Sequence, residues 1–151
     1  MGKIRQRALN LLRLEHLFEN KYGSRITIDI DPQCPYYNQF NVHHHELEKT
    51  GSFYCQLYNR EPIPGTGKHY FEVKVLRQLL KMVIVGVITP DNFSQQYSQD
   101  KPNCICYNGF YNCIFLEGER ISLDIATPKV NDVLRVMVEV PARRIQFIIN
   151  Q

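Results

Sequence analysis

Between residues 3 and 22, Ile4, Ala8, Leu11, Leu12, Leu14, Leu17 and Phe18 recur near helical spacing, while Arg5, Arg7, Arg13, Glu15 and Glu19 fall mostly on the other side. The pattern predicts one amphipathic helix, and Gly23 suits its C-cap because glycine adopts the left-handed backbone at little cost. After Gly23 the period changes to two. Ile26, Ile28 and Ile30 alternate with Thr27 and Asp29, which predicts a half-buried strand. Residues 31–41 hold Pro32, Pro35, Tyr36, Tyr37 and Asn38 and read as a loop; residues 43–49 are polar and fit neither period. A further strand is predicted over 52–58, followed by a connection over 59–68 that carries Pro62, Pro64, Gly65 and Gly67.

Residues 69–76 alternate clearly, with Phe71, Val73 and Val75 on one face and Tyr70, Glu72 and Lys74 on the other. Residues 82–88 are almost wholly apolar, as in a strand covered on both faces, and Gly86 within them points to a bulge or a close backbone approach. A polar loop over 89–103 follows. Residues 105–107 and 113–116 read as strands around Asn108-Gly109, a pair that tolerates positive φ and marks hairpins. Glu117-Gly118 predicts another turn, and strands are expected over 121–125, 133–140 and 145–149. Eight or nine short strands with turn signals roughly every 8–12 residues predict an all-β sandwich or barrel.

The 151 residues fit one domain, with 44% hydrophobic and 22% charged residues, an ordinary globular balance. The net charge of +3 is unevenly placed. Lys3, Arg5, Arg7 and Arg13 give the first 13 residues +4, leaving 14 basic against 15 acidic residues in the rest. A near-neutral body lacks the one-sided basic footprint of a nucleic-acid binder, so nucleic acid is not an expected partner. The N-terminus has no apolar core segment of a signal peptide, and the longest uncharged run, 102–116, is too short and too rich in Asn and Gly for a membrane span. Five cysteines without an export signal predict reduced thiols in an intracellular protein, cytoplasmic or nuclear.

From Gly67 onward the chain resembles the SPRY family. The resemblance rests on Gly67-Lys68-His69-Tyr70-Phe71-Glu72-Val73-Lys74-Val75, then Val85-Gly86-Val87, Cys106-Tyr107-Asn108-Gly109, Asn131-Asp132-Val133-Leu134 and Ile145-Gln146-Phe147-Ile148-Ile149-Asn150. These segments follow the family's order and cover about half the chain at motif level. Phe71 and Val83 stand where many members have Trp, Asn131 replaces the turn glycine, and Gln151 replaces the glycine after the final Asn. The resemblance implies an antiparallel bent β-sandwich over residues 23–151, preceded by the amphipathic helix of residues 1–22. It implies a groove among loops that recognises a peptide or protein surface, with no cofactor and no catalytic residues. The second expectation is a structural subunit of a larger complex, docked through the helix and an open sheet edge.

Chemistry beyond binding finds little support in the pattern. His43-His44-His45 lacks the spacing of a zinc site, and Cys104, Cys106 and Cys113 read as small buried hydrophobes. Gly65-Thr66-Gly67-Lys68 fails as a phosphate loop, because Pro62 stands at the first Gly position and His69 at the Ser/Thr position. No nucleophile–base pair can be assembled, so an enzyme is not expected. Aromatic and arginine side chains in or beside loops are the usual anchors of recognition, which nominates Tyr36, Tyr37, Phe40, Arg60, Tyr97 and Tyr107 as partner-binding residues.

Overall fold

The structure, a computed structural model, describes residues 22–43, 46–50, 55–77, 84–94, 96–124 and 128–149. Apart from Tyr22, the expected N-terminal helix lies outside the described residues, as do His44 and His45. What is described is β structure with two single turns of 3-10 helix, at Tyr37–Gln39 and Pro90–Asn92.

The strands are β1 (Ser24–Arg25), β2 (Phe40–His43), β3 (Glu46–Lys49), β4 (Lys68–Lys74), β5 (Ile84–Ile88), β6 (Cys104–Asn108), β7 (Cys113–Leu116), β8 (Glu119–Ser122), β9 (Val133–Glu139) and β10 (Arg144–Ile149). They form a first sheet in the order β1-β4-β9-β10, a second in the order β5-β6-β7-β8, and a separate β2-β3 hairpin. Every pairing is antiparallel except β1 with β4.

The two four-stranded sheets share one core, which makes the fold sandwich-like. Phe71, Leu134, Val136, Val138, Ile145 and Phe147 from the first sheet meet Tyr107, Ile114 and Leu116 from the second, with Leu123 beside them. These are the alternate positions of each strand, as a two-residue period requires. Phe147 and Val136 are wholly buried, and the Tyr107 and Phe147 rings lie 6.5 Å apart. Each large side chain so buried contributes about 1.5–3 kcal/mol.

The opposite face of the first sheet carries a second cluster of Tyr22, Met137 and Ile148, with Tyr70 against it. Arg135 is held there on two sides. Its Nε and Nη2 both donate to Glu72 Oε1 at 2.9 Å, and its guanidinium lies 4.4 Å from the Tyr22 ring centroid and 5.7 Å from that of Tyr70. Exchange of Arg135 for alanine is therefore expected to cost about 2 kcal/mol, since a partly buried ion pair and two cation–π contacts go together. Urea denaturation checks this, and a loss smaller than that of Arg60→Ala at a more exposed pair would refute it.

Several sequence expectations need correction. Residues 26–29 form no strand; Ile26 and Ile28 pack against the core, but past the Ile26 N–H bond to the Tyr70 carbonyl (2.7 Å) no strand among the described residues supplies a ladder. Of the strand expected over 52–58, residues 52–54 lie outside the described residues and 55–58 are not a strand; an isolated bridge joins Ile30 to Asn59. The loop expected over 31–41 ends two residues early, because β2 starts at Phe40. By contrast, Glu117 (φ 51°) and Gly118 (φ 85°) form the two-residue turn between β7 and β8, with positive φ at both positions. Asn131 takes φ 74° in its turn, a backbone that Asn tolerates better than other side chains bar glycine.

Candidate recognition surface

The β6–β7 hairpin departs most instructively from its expectation. Asn108-Gly109 does not form a two-residue turn. Asn108 pairs with Cys113 at the end of the ladder, which leaves residues 109–112 as the loop, and the left-handed residue is Asn112 (φ 50°). Asn108 acts through its side chain instead. Its Oδ1 accepts hydrogen bonds from the backbone N–H groups of Phe110 (3.0 Å) and Tyr111 (3.1 Å), the local cap that Asn makes well. Its Nδ2 donates to Gln99 Oε1 at 2.7 Å, and Gln99 Nε2 donates to the Tyr97 hydroxyl.

This network reaches across the outer face of the second sheet. Cys104, Cys106 and Asn108 alternate with the core-facing Ile105 and Tyr107, so they point away from the sandwich core. They are nevertheless buried, as are Ser98 and Gln99 in the 89–103 connection that supplies the Gln99 bond. The Thr89 N–H to Asn103 carbonyl bond (3.3 Å) closes that connection at its base. The core side is pinned as well: the Tyr107 hydroxyl donates to Asn112 Oδ1 (2.8 Å), and the Leu123 N–H donates to the Asn112 carbonyl (3.2 Å).

Between these two anchors the loop displays Phe110 and Tyr111, 48% and 49% exposed. Their rings meet edge to face, centroids 4.8 Å apart at 88°. The Arg120 guanidinium from β8 lies over the Tyr111 ring, 4.6 Å from its centroid. Two large exposed rings on a buttressed turn form an apolar spot with a cation at its rim. That is the composition of an interaction anchor, since rigid aromatic side chains lose little entropy when a partner covers them. Phe110, Tyr111 and Arg120 did not emerge from the sequence reading; two consecutive aromatics inside a hairpin turn were the signal that could have found them.

The residues nominated from the sequence are divided among three places. Tyr97 belongs to this surface through Gln99. Tyr107 does not: it is 1% exposed, because its position in β6 turns it into the core, so it offers no surface to a partner. Burial also pushes its hydroxyl above the usual tyrosine range. Tyr36, Tyr37 and Phe40 lie half-buried around the first 3-10 turn, and Cys34 ties that stretch to the 55–60 segment through mutual hydrogen bonds with Tyr58 (3.4 and 3.6 Å). Arg60 sits beside it, exposed, with its Nε 3.3 Å from Asp29 Oδ2. The Tyr58 ring stacks on Phe93 at 3.9 Å, which joins this second loop group to the 89–103 connection.

Cys104 and Cys106 share a hydrogen bond that, with burial, pushes the Cys106 thiol up, while the same bond holds the Cys104 thiol below its ordinary value. Among the described residues no group of three or more His, Cys, Asp or Glu side chains could hold a metal ion, and no helix is long and apolar enough to cross a membrane. No known protein-family model matches the chain, and no curated protein sequence matches it.

Proposed function

We propose that this chain is a non-catalytic protein-interaction module, a SPRY-like sandwich that recognises a peptide or protein surface through the β6–β7 hairpin tip. The observation that carries the reading is the exposed Phe110–Tyr111 pair, fixed by Asn108 rather than left on a loose loop. Exposure of this kind is costly in water and becomes favourable when a partner covers it. The order of the Gly67–Val75, Val85–Val87 and Ile145–Asn150 motifs adds the resemblance to a family of interaction domains.

A photo-crosslinking amino acid placed at position 110 of the full chain, in the living cell, tests the reading. It is expected to capture a discrete protein, and the same group at Gly65, in an exposed turn, is expected not to. Equal capture at both positions, or none at 110, would overturn it. With that protein in hand, Phe110→Ala and Tyr111→Ala should each weaken binding by about 1–2 kcal/mol. Their folding stability should stay within about 0.5 kcal/mol of the parent, because the rings are half in water already. Alanine at Tyr36 or Arg60 separates this surface from the second loop group: a larger loss there than at Phe110 would move the site.

A further inference from the structure

The chemistry of the tip restricts what can bind it. The edge-to-face pair presents the face of one ring beside the edge of the other, an apolar corner that fits an aliphatic side chain. Arg120 lies at its border. One face of the guanidinium is occupied by Tyr111. A guanidinium has five N–H donors in its plane, and among the described residues no carboxylate pairs with Arg120. Stacking also holds the fork in place, so less side-chain entropy is lost when an acceptor arrives.

The surrounding charge sets an upper limit on how acidic that acceptor can be. From residue 102 to 128, Arg120 is the one basic residue, against Glu117, Glu119 and Asp124. Along that stretch, which Lys101 and Lys129 flank, a polyanion finds one cation and three acids. Nucleic acid, which binds by neutralising several phosphates, and polyacidic tails are both disfavoured on this ground. A single carboxylate in an apolar setting is the match.

Building on the reading of this tip as the recognition surface, we infer that its partner is a protein segment carrying one Asp or Glu side chain next to an aliphatic residue. The aliphatic side chain packs in the Phe110–Tyr111 corner, and the carboxylate accepts from Arg120.

Selection of random decapeptides displayed on phage against the full chain tests this. The expected winners carry a lone acid within a residue or two of Leu, Ile, Val or Met. For a synthetic winner, Glu→Gln in the peptide and Arg120→Gln in the protein should each weaken binding about tenfold, and the two losses should not add. Arg120→Lys keeps the charge without the fork and should fall between. Thermal melts of each variant confirm that the fold is intact. Winners that need Phe110 but show no acid preference, or that bind Arg120→Gln undiminished, overturn the inference and leave the interaction surface standing. Winners indifferent to Phe110→Ala overturn the surface itself. No winners, or tighter binding of a single-stranded RNA decamer, overturn both.

Discussion

Asn108→Ala is expected to lower folding stability by about 3 kcal/mol and to weaken partner binding beyond either aromatic truncation at the tip. The Asn108 side chain is wholly buried and meets three partners: the Phe110 and Tyr111 N–H groups and Gln99 Oε1. A hydrogen bond contributes about 1 kcal/mol net, and a buried partner left unmade costs about 1–3 kcal/mol. The two amides sit near the surface, where water recovers part of the loss; Gln99 is buried and cannot be rescued so easily. About 3 kcal/mol is the balance of these terms. The binding loss has a different origin. Without the cap the tip must be ordered at the moment of association, a cost that the parent meets on folding. Urea denaturation with an unchanged slope measures the first effect, and titration with the captured partner measures the second. Full binding by a folded Asn108→Ala chain would mean that the tip orders itself without the cap, and the recognition reading would lose its main support.

The sandwich was legible in the chain because one-sided burial leaves a period of two. Phe71 and Val73 in β4, Leu134, Val136 and Val138 in β9, and Ile145 and Phe147 in β10 all face the core that their alternation predicts. The same signal misled at residues 26–30. Ile26 and Ile28 are packed inward, but a ladder also needs a neighbour, and which strand lies alongside is decided by the fold as a whole. The candidate surface at the β6–β7 tip was harder to read for two reasons. Parity within β6 decides that Tyr107 points inward while Asn108 points outward, and a shift of one residue would exchange them. Proximity to a loop said nothing about that parity. The role of Asn108 depends on Gln99, nine positions earlier, which reaches it only because the 89–103 connection folds back over the outer face. The aromatic pair itself was visible at positions 110 and 111. What the pattern lacked was the reason to regard it as fixed in place.

Alanine at Gly86 is expected to be still more damaging, at about 3 kcal/mol or above, toward the upper end of overpacking effects. Gly86 pairs with Cys106 across the β5–β6 ladder. A Cβ there would stand 2.1 Å from the Ile105 carbonyl oxygen and 2.5 Å from both Cα and Cβ of Cys106. Two of these three are backbone atoms and the third is fixed directly to one, so no rotamer change gives relief. The two strands must part. Because β5 is the outer strand of its sheet, it can peel away, but it then surrenders the pairing from Ile84 with Asn108 to Ile88 with Cys104. That ladder holds the base of the 89–103 connection, which in turn holds Gln99 against Asn108. A methyl group at position 86 should therefore loosen the β6–β7 tip from the far side of the sheet, and on the proposed reading partner binding should fall together with stability. Gly65→Ala is the matched control. Nothing lies within 4 Å of a Cβ at Gly65, so the same chemical change there should alter stability by no more than about 0.5 kcal/mol. Thermal melts of the two variants side by side make the comparison. If Gly86→Ala melted with Gly65→Ala, β5 could not be paired in this register, and the support it lends to the tip through residues 89–103 would have to be abandoned.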